Sequence, residues 1–126
     1  MIDWNKPIET VDGRKAQPEA AIQRAIIARL KLSGIVCHHP QNAAKRSVIG
    51  GRRIKADGMI TGWPDLTVVG PEGLVGFLEV KAPGGKLSEA QKEIARMLTD
   101  MGHTWAVVMS QDDAVEILKY WGWDVK

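Results

Sequence analysis

Hydrophobic positions near the start of the chain recur with helical spacing. The stripe predicts a helix between Pro18 and Gly34, because proline suits the first turn of a helix and glycine the position just past its end. Glu19 follows Pro18 at the start of this helix. The apolar members of the stripe are Ile22, Ala25, Ile26, Ile27 and Leu30.

Three short runs rich in β-branched residues follow this helix. Residues 35–39 predict a strand, which Pro40 ends. Residues 62–69 and 74–81 flank a glycine and proline cluster, which predicts a β-hairpin. If the turn is centred on Glu72, Asp65 lies opposite Glu79, with Cβ atoms roughly 5 Å apart. Alternation along the strand then puts Lys81 on the same face as Glu79.

The rest of the chain predicts a helix, a strand and a helix. Ser88 begins the first of these helices and Gly102 ends it. Residues 105–109 form an unbroken apolar run, which predicts a strand buried on both faces. Ser110 begins the last helix, which packs through Val115, Ile117, Leu118 and Trp121. The apolar face of the preceding helix is predicted to contain Ala90, Ile94, Met97, Leu98 and Met101.

Composition indicates a single domain of ordinary globular character. The chain has 126 residues, 44% of them hydrophobic and 25% charged, with a net charge of +2. We predict an N-terminal arm over residues 1–17 and a domain over residues 18–126. The single cysteine, Cys37, excludes an internal disulfide and fits a reducing cytoplasm. The sequence shows neither a long apolar run nor a signal peptide, so we expect no membrane span.

The predicted hairpin brings two like charges together. Asp65 and Glu79 would repel one another unless a cation lies between them, and carboxylates select hard cations such as Mg²⁺. Lys81 would add a compact positive charge beside that ion. The alternative is that Glu79 and Lys81 belong to a solvated strand face.

Three motifs in this order resemble a known nuclease family. They are G-x-P-D-L at 62–66, E-x-K at 79–81 and L-S-x-x-Q at 87–91. Together they resemble the PD-(D/E)XK nuclease superfamily and, within it, the VRR-NUC domain. The resemblance implies an α/β fold with an αβββαβ core, in which a mixed four-stranded sheet is flanked by helices and followed by a C-terminal helix. The order of elements predicted from the residues agrees with that core.

The resemblance also implies a Mg²⁺-dependent phosphodiesterase in which Mn²⁺ can substitute. Asp65 and Glu79 match the metal-binding acids, the backbone carbonyl of Val80 completes the metal site, and Lys81 matches the catalytic lysine. Glu19 resembles the acid that related nucleases bring from the first helix, with Gln23 as a substitute. The alternative for Glu19 is an acid that stabilises the helix N-terminus.

Gln91 has two possible roles. With Ser88 it completes a capping box, which by itself explains both residues. The resemblance places this glutamine near the active site, where it can act only if its side chain turns inward.

A basic, glycine-rich stretch precedes the hairpin. A long loop beside a phosphodiesterase site favours contacts with phosphates, although a solvated loop is the alternative. The adjacent residues Cys37, His38 and His39 alternate between faces of a strand, which does not favour a zinc site. The cations of the predicted DNA-binding loop are Lys45, Arg46, Arg52, Arg53 and Lys55.

These expectations favour a structure-selective DNA endonuclease. We find no separate base-reading module in the sequence, and small stand-alone VRR-NUC domains resemble Holliday junction resolvases, which implies branched DNA as the substrate in a bacterial or phage-infected cell. We infer a homodimer from that function, because two sites would cut the two strands of one branched DNA. Two alternatives remain. One is a sequence-dependent or nicking endonuclease on duplex DNA, and the other is a non-catalytic module that binds branched DNA.

Overall fold

The computed structural model describes residues 18–40 and 58–126 of the chain. Within these ranges the helices and strands follow the predicted order. The predicted arm at residues 1–17 and the five cations of the basic loop lie outside the described residues. The elements are α1 (Glu19–Lys31), β1 (Val36–His38), β2 (Leu66–Val69), β3 (Val75–Val80), α2 (Glu89–Asp100), β4 (Thr104–Val108) and α3 (Gln111–Tyr120).

The four strands form one mixed sheet in the order β1-β2-β3-β4. β2 is antiparallel to both β1 and β3, while β4 runs parallel to β3. A parallel neighbour requires a crossover connection, and α2 lies in that connection. The predicted sheet with flanking helices is therefore confirmed.

The hairpin has the predicted register. Leu66 pairs with Leu78 and Val69 with Val75, so that Glu72 lies at the centre of the turn. Continuing this pairing by one residue beyond β2 sets Asp65 opposite Glu79. The G-x-P-D-L and E-x-K motifs are thus brought together by ordinary strand pairing rather than by an unusual loop.

The main core lies between the sheet and two helices. α1 contacts β1 and α3, and α3 contacts β4. The predicted stripe of α1 is confirmed, since Ile22, Ile26 and Leu30 are buried. Leu66, Val68, Leu78 and Val80 of the hairpin belong to the same core, as do Val108, Ala114, Leu118 and Trp123.

Two predictions of packing were wrong in detail. Met101, assigned to the apolar face of α2, is 67% exposed, and the buried positions of α2 include Ala95 and Leu98. The reason is that Met101 lies just past the last residue of the helix and does not face the sheet. β4 is not buried on both faces, because it lies at the edge of the sheet and only Val108 is fully enclosed.

Among the described residues, the helices are too short and too polar to span a membrane.

Gly62 fixes the approach of the chain to β2. Its backbone has a φ of 87°, and an added Cβ would lie 2.5 Å from the carbonyl carbon and oxygen of Ala90. Ala90 belongs to the first turn of α2, so the segment that leads into Asp65 lies directly against the helix N-terminus. A residue with a side chain cannot take this place without moving one of the two backbones.

We expect Gly62→Ala to destabilise the protein more than Gly84→Ala. Gly84 also has a positive φ, of 84°, but an added Cβ there meets nothing within 4 Å. Both changes carry a backbone cost of about 1–2 kcal/mol, and only Gly62→Ala adds about 1–3 kcal/mol of crowding. Urea unfolding followed by circular dichroism measures the difference. Equal destabilisation by the two variants would show that the contact with Ala90 is not restrictive.

Candidate active site

A groove with a volume of about 500 Å³ lies where the hairpin meets the N-terminus of α2. Three parts of the chain form its walls: the end of β1, the segment that leads into β2, and the loop that leads into α2. Polar and charged side chains from all three parts line it together with apolar ones. The lining residues are His39, Pro40, 59–65, Lys81, 86–88 and Gln91.

Asp65 is held in place by the neighbouring strand. Its Oδ2 accepts a hydrogen bond of 2.8 Å from the backbone N–H of Val80. β2 begins at Leu66, just after Asp65. The Asp65 carboxylate therefore accepts from Val80 at the position where a backbone carbonyl of the strand would otherwise accept. Pro64, which has no N–H to donate, is fully buried just before it. The position of this carboxylate is therefore set by the hairpin itself.

Glu79 is completely buried, which is unusual for an acid. Its Oε1 accepts a hydrogen bond of 3.1 Å from Nε2 of Gln91. Its Oε2 has no hydrogen-bond partner among residues 18–40 and 58–126. A buried ionised oxygen without a partner is costly, so this atom requires either a proton or a cation.

The surroundings of Glu79 raise the pKa of its carboxyl group from 4.5 to about 10. Burial makes the largest contribution to this raised pKa, followed by the Asp65 carboxyl group, which lies close enough to share a proton with Glu79 and repels it when both are ionised, while Lys81 acts in the opposite direction. Two carboxyl groups can share a hydrogen bond only when one carries a proton. The raised pKa and the unpartnered oxygen thus indicate the same need for positive charge.

Lys81 lies two residues beyond Glu79, and its side chain lines the groove. Lys81 is only 9% exposed. Its positive charge partly offsets the rise in the pKa of Glu79. The backbone N–H of Lys81 donates to the carbonyl of Val108, which continues the pairing of β3 with β4. The predicted grouping of Asp65, Glu79 and Lys81 at one place is present in the structure.

Gln91 caps α2 and also turns its side chain inward to Glu79. Its Oε1 accepts from the backbone N–H of Ser88, while Ser88 Oγ accepts from the backbone N–H of Gln91. The other end of the same amide, Nε2, is the donor to Glu79. The side chain therefore caps α2 and orients an acid of the groove.

His39 is a site residue that the sequence analysis missed. Its Nδ1 lies 2.7 Å from the backbone carbonyl oxygen of Asp65. Since a carbonyl can only accept, Nδ1 carries the hydrogen and Nε2 remains an acceptor in the neutral ring. The register of β1 against β2 pairs His38 with Thr67, which carries the next residue toward Asp65. The register of β1 against β2 would have predicted this contact. It could not be inferred from the sequence, because no short turn connects the two strands.

The remaining predicted residues are less closely grouped. Glu19 is exposed in the first turn of α1 and does not line the groove, although its charge makes a small contribution to the raised pKa of Glu79. Cys37 packs toward the core, where burial raises the pKa of its thiol to about 11. Among the described residues, no three His, Cys, Asp or Glu side chains form a cluster that could hold a metal.

The donors nevertheless fit one hard cation. Two opposed carboxylates, one of which has an orphaned oxygen, and the backbone at Val80 supply oxygen atoms of the kind that Mg²⁺ and Mn²⁺ prefer. Such sites commonly use one or two carboxylates and leave the other positions to water and phosphate. A pair of acids therefore suffices without a third side chain.

Comparison with protein families identifies the kind of domain to which this groove belongs. A family model for the VRR-NUC domain matches residues 17–112, which is most of the chain. The chain belongs to the VRR-NUC family. Membership implies a nuclease-type function, and the PD-(D/E)XK fold is consistent with the VRR-NUC sheet described above. Comparison with curated proteins yields no match.

Solved structures share the fold of this VRR-NUC domain. One, described as a VRR-NUC domain, has a TM-score of 0.63 and 21% sequence identity, and the alignment covers 82% of this chain and 96% of the other. A second, described as a VRR-NUC domain protein, has a TM-score of 0.63 and 23% identity, with coverage of 83% and 88%. At this level of identity the likeness establishes the VRR-NUC fold.

The raised pKa of Glu79 makes the metal-free VRR-NUC domain less stable as the pH increases. Above pH 4.5 the unfolded chain releases the proton of Glu79, whereas the folded protein keeps it until about pH 10. The free energy of unfolding should therefore fall by up to ~1.4 kcal/mol per pH unit in this range. Urea unfolding in EDTA at several pH values measures this slope.

The matched variants for this measurement are Glu79→Gln and Glu116→Gln. The first removes the titrating group and should flatten the slope, while the second replaces an exposed acid on α3 and should leave it unchanged. Identical slopes for all three proteins would contradict the assignment of a buried proton to Glu79.

Proposed function

We propose that the protein is a divalent-metal-dependent endonuclease that hydrolyses phosphodiester bonds in branched DNA, in the manner of a Holliday junction resolvase. The observation that carries the proposal is the unpartnered, fully buried oxygen of Glu79 opposite Asp65. A folding role does not require a buried acid facing another acid, because an apolar pair would avoid the cost. A cation that binds the substrate phosphate gives this arrangement a use.

Asp65, Glu79 and the backbone carbonyl of Val80 would hold the ion, which we propose is Mg²⁺, with Mn²⁺ as a substitute. When bound, the ion would act as a Lewis acid on the phosphate and lower the pKa of a bound water molecule. Asp65 is positioned for this by Val80 and His39, and Glu79 is positioned by Gln91. The ligands are thus oriented before any ion arrives.

Lys81 would contribute a positive charge beside the phosphate. Lys81 lines the same groove as Asp65. In hydrolysis, negative charge increases on the non-bridging oxygens of the phosphate, and a fixed cation there stabilises the transition state. Lys86, which also lines the groove, would contact a neighbouring phosphate. Glu19 would act from outside, through water or a second ion.

Selectivity for branched DNA is supported by how the described helices are used. α1 and α3 pack on the sheet and on each other, and α2 packs on β4 and places its first turn at the groove. A helix that reads bases in the major groove must project from the body of the protein. Among residues 18–40 and 58–126, every helix is instead packed along the sheet. Recognition of DNA shape fits this arrangement better than recognition of a long sequence.

The wider assembly is part of the same proposal. Lys45, Arg46, Arg52, Arg53 and Lys55 precede the acids in the chain and would contact the DNA backbone, which adds sequence-independent affinity. A homodimer would present two sites for the two strands of one junction. We place the protein in the cytoplasm of a bacterial or phage-infected cell.

We expect cleavage of a labelled four-way junction in Mg²⁺ or Mn²⁺, with weaker or no cleavage of matched linear duplex and single strand. Asp65→Ala should lower the rate at least about 100-fold, because it removes a ligand of the ion on which charge stabilisation depends. Lys81→Met should lower the maximal rate, and Lys119→Met, an exposed change on α3, should not. Gel analysis of products over time measures each rate.

Other results would redirect the proposal. Sequence-dependent cutting of linear duplex would contradict branch selectivity while keeping the chemistry. Binding of the junction without cleavage in any divalent metal would overturn the enzymatic assignment and favour a binding module.

His39 should act as a positioning residue for Asp65. His39→Ala removes the N–H that holds the Asp65 carbonyl, and loss of such a partner typically weakens metal binding about 10- to 100-fold. The Mg²⁺ concentration for half-maximal cleavage should rise accordingly. His39→Asn, which retains a donor, should recover part of the loss, and His38→Ala, a change at the exposed neighbour, should have no effect. An unchanged metal requirement in His39→Ala would remove this role.

A further inference from the structure

Trp63 stands two residues before Asp65 with its ring held in a fixed orientation. The ring packs edge-to-face against Phe77, with centroids 5.6 Å apart and planes at 88°. Phe77 is buried and packs in the same way against His103, at 5.9 Å and 84°. Trp63 itself is only half-buried. A large aromatic surface is therefore fixed beside the acids while remaining partly open to solvent.

An apolar pocket with a volume of about 300 Å³ lies against this ring. It is lined by Pro40, Gly58, Met59, Ile60 and Trp63, none of which carries a charge. All of these except Gly58 also line the groove that contains Asp65 and Lys81, so the pocket and the groove are continuous. Ile60 is 46% exposed although it is a large apolar residue.

The two neighbouring surfaces fit the two ends of one chemical group. The acids and lysines suit a phosphate with its cation, whereas the apolar pocket suits a flat, weakly polar ring. A nucleotide contains both a phosphate and a flat base, which the sugar holds at a limited distance from each other. In duplex DNA the base is stacked and paired inside the helix, so only an unpaired base can enter such a pocket.

We propose that this pocket binds one unpaired nucleobase next to the scissile phosphate, with Trp63 as the stacking surface. The inference rests on the proposed nuclease function and gives it a substrate class: DNA in which a nucleotide beside the cut is unpaired, as at flaps, at frayed ends and at branch points where a base pair has opened. The pocket gains affinity from any base, because every base has a face that can stack. Base identity is therefore not read at this position.

Binding to single-stranded DNA tests the proposal without requiring cleavage. The probes are a labelled oligothymidylate and the same strand in which abasic residues replace the nucleotides. The proteins are the full chain with Asp65→Asn, so that the DNA stays intact, alone and combined with Trp63→Ala, Trp63→Leu or Trp63→Phe. Tyr120→Ala is the control, because Tyr120 is an aromatic residue that is 85% exposed on α3 and does not line the groove.

Trp63→Ala should weaken binding of the strand with bases about 5- to 150-fold, the range for loss of one stacked base. The affinity for the abasic strand should change less than about twofold. Trp63→Phe should keep most of the affinity, since phenylalanine can still stack, and Trp63→Leu should not, although it fills the space beside Phe77. Tyr120→Ala should bind as the parent does.

Two results would overturn the inference. One is unchanged binding of both strands by Trp63→Ala, and the other is an equal loss on both strands, which would mean that the ring contacts the backbone or only supports the fold. If Trp63→Ala does not fold, the comparison of Trp63→Leu with Trp63→Phe decides in the same way.

Cleavage distinguishes failure of this inference from failure of the nuclease proposal. The experiment uses a set of branched substrates, each with an abasic residue at a different position around the cut. At one of these positions the abasic residue should slow cleavage by the parent enzyme. At that same position it should not slow cleavage by Trp63→Ala any further. A protein that cuts equally well with and without the Trp63 ring would lose the base pocket but remain a nuclease. A protein that cuts no DNA would lose the nuclease function, while the binding comparison would still decide about the pocket.

Discussion

The structure of the site depends on one electrostatic constraint, the placement of two carboxyl groups against each other with one of them out of reach of water. Strand pairing in the hairpin fixes Asp65 opposite Glu79, and burial raises the pKa of Glu79 to about 10. Neither carboxyl group can move away without breaking the register that also buries Leu66 and Leu78. The same pairing therefore builds the core on one face of the sheet and concentrates negative charge on the other.

The surrounding residues serve this constraint in different ways. Val80 and Gln91 donate hydrogen bonds to the two carboxyl groups, and Lys81 offsets their charge. Gly62 lets the approach to Asp65 lie against the first turn of α2, which brings Gln91 within reach of Glu79. If the proposed cation binds here, protons would compete with it for the remaining oxygen of Glu79, so that metal affinity would increase with pH. Folding stability and the proposed ion binding would then depend on the same carboxyl group.

Much of this arrangement could be predicted because it depends on local signals. The turn around Glu72 and the alternation of the strands gave the hairpin register, and the spacing of Ser88 and Gln91 gave the cap. His39 was missed because its bond to the Asp65 carbonyl joins residues far apart in the chain, with no short turn to set the register of β1. The apolar run of β4 does not reveal that the strand lies at an edge. Trp63 attracted no prediction, since its open face depends on how Phe77 and Ile60 surround it.

The two hydrogen bonds of Gln91 restrict which residue can occupy that position. A capping box normally accepts either glutamate or glutamine at its third helical residue. Here glutamate would still accept from the Ser88 backbone, but it would present a third carboxylate to Glu79 where the amide now presents a donor. Helix propensity and capping would tolerate the exchange, whereas the buried acid would not. Fewer residues are therefore tolerated at position 91 than the helix alone would allow. Conservative substitutions at Ser88 and at Gln91 should also have effects that depend on one another, because the two residues share hydrogen bonds.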